Sequence, residues 1–145
     1  TFIEDFNLNV MGAIKSIQAV LKNLNNSVHA SIVLFSTVAV QTGMPFHSSI
    51  AASKGAIEGL TRSLAAEFAP KISVNAIAPS IVDTPLSDKF LNNEAKMQRA
   101  VERHPLKKVG SPSDLASTAV FLLTNSSWIT GQVIGVDGGI GNLKI

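Results

Sequence analysis

The stretch from Ser31 to Leu64, SIVLFSTVAVQTGMPFHSSIAASKGAIEGLTRSL, constrains the fold more than any other part of the chain. It opens on an apolar run, Ile32-Val33-Leu34-Phe35, which the hydroxyls of Ser36 and Thr37 close. A short run of β-branched and aromatic residues bounded by polar ones reads as a buried strand. Gly43 and Pro45 then break the chain, and a long helical segment follows with Lys54 in its first turns. Small residues at i+4 intervals, Ala51, Gly55, Gly59 and Ser63, form a stripe along that helix. A glycine costs a helix interior about 1 kcal/mol, so two on one face predict close approach of another backbone. The unit is strand–loop–helix. Its hydroxyls and its lysine gather where the strand ends, which is where open α/β sheets bind ligands.

The rest of the chain continues the alternation. Phe2 to Leu24 carries two apolar stripes, one through Ile3, Phe6, Val10, Ala13 and Ile17, the other through Val10, Ile14, Ile17, Leu21 and Leu24. Two stripes exceed what one sheet face needs and predict burial against a partner helix as well. Asn25-Asn26-Ser27 is a turn. Ser48 and Ser49 are candidate N-caps for a helix over 48–68, which stops before Pro70. Lys54, Glu58 and Arg62 stand at i+4 steps, the pattern of a solvated ladder, but the spacing of Lys54 from Thr37 favours a functional reading of the lysine. Residues 72–78, ISVNAIA, become apolar throughout, as a central parallel strand does. Leu86 to Arg103 is polar and helical in pattern, and His104-Pro105 ends it. Ser111-Pro112-Ser113-Asp114 is a strong helix start, with Leu115, Ala119, Leu122 and Leu123 on one face. A last strand is predicted over 132–136.

Composition excludes several classes of function. A length of 145 residues suits one domain, and 46% hydrophobic with 15% charged residues is a globular balance. The net charge of +2 is spread along the chain, with Lys107-Lys108 the one adjacent basic pair, and argues against nucleic acid. There is no Cys, and His29, His47 and His104 fall in no zinc-binding spacing, so no metal site is predicted. No apolar run approaches the length of a membrane span. A cytoplasmic setting is the expectation.

The central stretch resembles the short-chain dehydrogenase/reductase family. That family ends this strand with a catalytic Ser and, thirteen residues on, places Tyr-x-x-x-Lys on the helix. Here Ile50-Ala51-Ala52-Ser53-Lys54 fills the second motif, and Thr37 stands thirteen residues before Ile50, with Ser36 one position off. Phe2, Asn9 and Gly12 match an F-x6-N-x2-G pattern that carries the family's active-site Asn. Pro79, Ser80 and Thr84 match Pro-Gly-x-x-x-Thr with Ser for Gly, and Thr130-Gly131-Gln132 leading to Val136-Asp137-Gly138-Gly139 matches its closing strand.

The resemblance implies an α/β fold, the C-terminal half of a Rossmann-like doubly wound parallel sheet in three α/β/α layers. It runs nearly end to end but lacks the glycine-rich phosphate loop, so the dinucleotide-binding first half is expected to be absent. It implies an NAD- or NADP-dependent oxidoreductase moving hydride between a nicotinamide and a carbonyl or alcohol, the fragment being inactive by itself. The implied catalytic positions are Asn9, Thr37, Ile50 and Lys54. Lys54, Pro79, Ser80, Val82 and Thr84 are the implied nicotinamide contacts. In the family, Tyr transfers the proton, Lys lowers its pKa and holds the ribose, Ser orients the substrate oxygen, and Asn supports a water. Ile50 has no ionisable group, and the chain contains no Tyr. His47, one turn earlier, is the nearest imidazole in sequence but reads as a loop residue. The alternative is a non-catalytic relative that binds nucleotide or serves as an oligomer partner. A homo-oligomer through helices 2–24 and 48–68 is implied in either case.

Overall fold

The structure is a computed structural model and describes residues 1–144. Three strands, β1 (Ala30–Phe35), β2 (Ile72–Pro79) and β3 (Val133–Val136), form a parallel sheet in that order. Phe35 pairs with Ile77 and Ala76 with Val133, so all three strands end at one edge of the sheet. Parallel neighbours need a crossover between them, and helices supply it.

The helices before β2 are α1 (Phe2–Phe6), a π-helical turn (Asn7–Met11), α2 (Gly12–Asn25), the short α3 (Ala39–Thr42) and α4 (Ser48–Phe68). After β2 come a 3₁₀ turn (Pro85–Ser87), α5 (Asp88–Leu91), α6 (Glu94–Arg103) and α7 (Pro112–Thr124). One core joins Ala30, Ile32, Ile72 and Val74 of the sheet to Ile17 of α2 and Ala65 of α4, with Leu21, Leu24, Leu64 and Phe68 packed around it. Strand side chains alternate between faces. Asn75, Ile77 and the fully buried Leu122 of α7 therefore belong to the opposite layer, which α7 covers from β1 to β3. Each Ile, Leu or Val so buried contributes about 1.5–3 kcal/mol. The predicted three-layer α/β arrangement is what the chain adopts.

Some local expectations are corrected. The helix expected over 2–24 is interrupted: residues 7–11 widen into a π turn, with Asn9 at its centre. Neither Ser48 nor Ser49 caps α4, whose N-cap position is His47. Ser49 instead donates through Oγ to Asp5 Oδ2 at 2.6 Å, joining α1 to α4. The segment 86–103 breaks at Asn92–Asn93, where the Asn93 side chain accepts the Lys96 N–H and caps α6. The bland alternative for Lys54, a solvated Lys54–Glu58–Arg62 ladder, does not form, since the Glu58 side chain is only 15% exposed. The close backbone approach predicted for the small-residue stripe does not occur within the chain: a methyl group at Gly59 would meet nothing within 4 Å. Leu123 is half exposed although its neighbour Leu122 is fully buried.

Candidate active site at the carboxyl ends of the strands

Two loops leave the sheet side by side. Ser36 N–H donates to Ile77 O at 2.8 Å and Val38 N–H to Pro79 O at 2.9 Å, extending the β1–β2 ladder past the ends of the strands. Thr37 and Pro79 thereby emerge together. Thr37 Oγ1 accepts the Ala39 N–H at 3.3 Å, which starts the turn into α3 and leaves the hydroxyl hydrogen free for another acceptor. Lys54 reaches this point from α4, donating through Nζ to Phe35 O at 2.9 Å. Ile50 stands one helical turn before Lys54, on the same face and half-buried.

The residues expected in the site fall into two sets. Lys54, Thr37 and the 79–84 loop share one end of the sheet. Asn9 sits on the π turn that packs against α4. Its amide turns back to donate to Asp5 O at 2.9 Å, and among the described residues it makes no bond to Thr37 or Lys54. Single π turns inside helices recur at functional sites, because they redirect one side chain and one carbonyl.

In the loop after β2, Val82 is buried and bridged to Gly110, while Thr84 N–H donates to Ser87 Oγ at 3.1 Å. Ser80 Oγ lies 2.8 Å from Nε2 of His104, a histidine only 3% exposed. The other ring nitrogen, Nδ1, is 2.6 Å from Ala100 O, an acceptor only, so Nδ1 carries the proton. In the neutral ring, Nε2 is then the acceptor and Ser80 the donor. The pair lines a cavity of about 400 Å³ with Ile81, Leu106, Leu115 and Val136. Sequence reasoning placed His104 only as a helix terminator. Its Pro neighbour signalled the chain break, and nothing local signalled the partner 24 residues away.

Ser36 and Glu58 were also missed. Ser36 is 3% exposed and donates to Glu58 Oε1 at 2.7 Å, while Glu58 Oε2 faces Arg62 at 3.5 Å. The i+4 spacing of charges masked this, since that spacing serves a solvated face and a buried acceptor alike. With Glu58 so engaged, Lys54 forms no ion pair among the described residues. Desolvation by the surrounding protein holds the Lys54 amine below the ordinary lysine range.

The side chains present fit the nicotinamide end of a dinucleotide. An ammonium donor, a loop with a turned-away Ser80 hydroxyl, and Thr84 surround the strand ends. No group of three or more metal-ligating side chains occurs among the described residues, and no helix is long and apolar enough to cross a membrane.

Comparison with known proteins bears on this geometry. The family model described as enoyl-(acyl carrier protein) reductase matches residues 1–141. The chain belongs to this family of short-chain dehydrogenases/reductases. It is 38% identical over 136 residues to the 3-oxoacyl-[acyl-carrier-protein] reductase of Thermotoga maritima, covering 92% of this chain and 54% of that one. It superposes with a TM-score of 0.93, at 29% identity, on the aldohexose dehydrogenase of Thermoplasma acidophilum in ligand-free form, covering 99% of this chain and 60% of that one. A gluconate 5-dehydrogenase from Burkholderia cenocepacia, solved with NADP and tartrate, superposes with a TM-score of 0.88 at 27% identity, covering 97% and 58%. The chain spans about half the length of the curated relatives it matches. The Rossmann-like parallel sheet is common to this chain and these family structures.

Proposed function

We propose that this chain is the carboxyl-terminal half of an NAD- or NADP-dependent short-chain oxidoreductase acting on a small carbonyl or alcohol, and that it is inactive without the nucleotide-binding half. The single observation that carries the reading is the meeting of Lys54 Nζ with the last carbonyl of β1, beside Thr37 and the 79–84 loop. In this reading Lys54 holds the nicotinamide ribose and Thr37 orients the substrate oxygen through its free hydroxyl hydrogen. Pro79, Ser80, Val82 and Thr84 border the nicotinamide carboxamide, and Asn9 supports the site from the π turn. When bound, the nicotinamide ring supplies or accepts the hydride. The alcohol proton needs its own acceptor, and Ile50 offers none.

That substitution favours a second reading, a family member that binds nucleotide or assembles with other subunits without turning over substrate. Turnover assays with NADH and NADPH on the protein joined to its nucleotide-binding half separate the two. Activity that Ile50→Tyr raises supports the enzyme. Cofactor binding with no turnover in either form supports the binder.

The surface supports an incomplete assembly. The chain exposes 9051 Å². A compact monomer of 15.3 kDa exposes about 7,100 Å². The excess, about 1,900 Å², is larger than a typical domain interface. Phe2, Ile3 and Phe6 of α1 and Leu8 of the π turn are exposed, and Gly59 is open on α4. The reading places a homo-oligomer contact on α1, α2 and α4. It places the other half of the domain along the unpaired edge of β1, a template for another strand.

A further inference from the structure

Ser80 and His104 form the one hydroxyl–imidazole pair among the described residues, with Oγ 2.8 Å from Nε2. Ser80 stands where the family pattern has Gly, so this hydroxyl is the chain's own. His104, 3% exposed, caps the end of α6, and its Nδ1–H is held by Ala100 O in the last turn of that helix, at 2.6 Å. Nε2 is thereby kept free of its proton and aimed at the serine. Main chain packs against the ring: a methyl group at Gly138 would lie 3.2 Å from Cδ2, the carbon beside Nε2. The acids of the neighbouring wall are engaged elsewhere. Asp137 accepts the Gly139 and Gly141 N–H groups, and Asp114 accepts from Ser111 and faces Lys108. The Ala100 carbonyl, not a carboxylate, therefore orients the imidazole. Ser80 is partly exposed, and both residues line the cavity of about 400 Å³ walled by Ile81, Leu106, Leu115 and Val136. The Ile81 N–H, next to the serine, donates to no protein acceptor among the described residues.

We infer that Ser80 and His104 are a nucleophile–base dyad that hydrolyses small neutral carboxylic esters, an activity that uses no nucleotide. Ser80 Oγ attacks the acyl carbon while its proton passes to Nε2. The tetrahedral adduct collapses by breaking the bond to the alcohol oxygen, which takes the proton from Nε2 and leaves as the alcohol. Water then attacks the acyl-serine, again giving a proton to Nε2, and that proton returns to Oγ as the carboxylic acid departs. Ester plus water becomes acid plus alcohol, with no redox change. A serine hydroxyl needs such a base within hydrogen-bond reach, and the base needs a third group to orient it. The imidazolium formed in each half-reaction sits at the carboxyl end of α6, where the helix dipole favours a cation. The Ile81 N–H is a spare donor for the adduct's oxyanion. Apolar walls suit a short uncharged acyl chain.

The test uses the chain alone. Labelling by a fluorophosphonate probe, which traps activated serines, is read by peptide mass spectrometry, and hydrolysis of p-nitrophenyl butyrate by absorbance. Labelling is expected at Ser80 about tenfold or more faster than at any other serine. Ser80→Ala and His104→Gln are each expected to lower ester hydrolysis about tenfold or more, with circular dichroism checking each fold. Another serine labelled within about tenfold of Ser80 overturns the proposal, as does Ser80→Ala keeping more than about a tenth of the parent's hydrolysis. Both criteria hold even if His104→Gln loses its fold; where it keeps its fold, retention of more than about a tenth of the rate also overturns the proposal. Neither readout involves nicotinamide, so the outcome is separate from that of the cofactor reading.

Discussion

Removing the Glu58 carboxylate tests how the strand end that carries Thr37 is held. Ser36, 3% exposed, has Glu58 Oε1 as its side-chain partner at 2.7 Å. A hydrogen bond to a charged acceptor contributes about 1.5–3 kcal/mol, and an orphaned buried hydroxyl adds its own desolvation cost. The Arg62 contact adds little, because Arg62 is 60% exposed and Glu58 sits 3.5 Å away. Glu58→Ala is therefore expected to cost about 2–3 kcal/mol. Glu58→Gln keeps an acceptor oxygen and should cost about 1 kcal/mol, since it loses only the charge assistance. At this chain length 1 kcal/mol moves the melting temperature by about 2–4 °C, so Glu58→Ala should fall by about 4–12 °C. Thermal or urea unfolding of Ser36→Ala, Glu58→Ala and the double variant closes a cycle. A coupling of about 1–2 kcal/mol is expected for residues in direct contact. Strictly additive effects would refute the bond as the link between α4 and the end of β1.

Other expectations follow from single observations. Leu122→Ala, at a fully buried position under the sheet, should cost about 2–5 kcal/mol in urea unfolding. Gly59→Arg enters open space and should leave the unfolding free energy within about 1 kcal/mol of the parent while reducing the oligomer in sedimentation; an unchanged sedimentation profile would remove α4 from the interface. The Asp114 carboxyl is held below its ordinary range, first by the Ser111 backbone N–H and then by the Ser111 hydroxyl and Lys108. A folded-state pKa below the unfolded one gives stability that is present above the ordinary Asp range and is lost as pH falls through the folded value. The melting temperatures of parent and Asp114→Asn should accordingly differ near neutrality and converge in acid.

The sheet was legible because its signals are local. The Ile32–Phe35 run, the ISVNAIA strand and the Ser111-Pro112 start each declare their element within a few residues; β1, β2, β3 and α4 formed within two residues of the expected bounds, and α7 starts at Pro112 as expected. The parallel order followed from alternation with helices. Spacing also led to Lys54, Thr37 and the 79–84 loop, which the structure brings to one end of the sheet. Long-range side-chain partners were not legible. Ser36–Glu58 spans 22 residues and Ser80–His104 spans 24, and nothing in either local pattern encodes the other. Asn9 shows the same limit from the backbone side, because a π turn depends on packing against α4 and leaves no mark in helical periodicity.

The central claim is that the strand ends around Lys54 and Thr84 are a nicotinamide site lacking its nucleotide half. Titration of the isotope-labelled chain with nicotinamide mononucleotide, read by amide NMR shifts, tests it most directly. The account predicts weak binding, because most of a dinucleotide's buried surface is missing. The shifted amides should cluster at Thr37–Val38, around Lys54 and over residues 79–84, and Lys54→Met should abolish the response. Shifts centred elsewhere, or micromolar binding of NADH or NADPH by this chain alone in calorimetry, would contradict it.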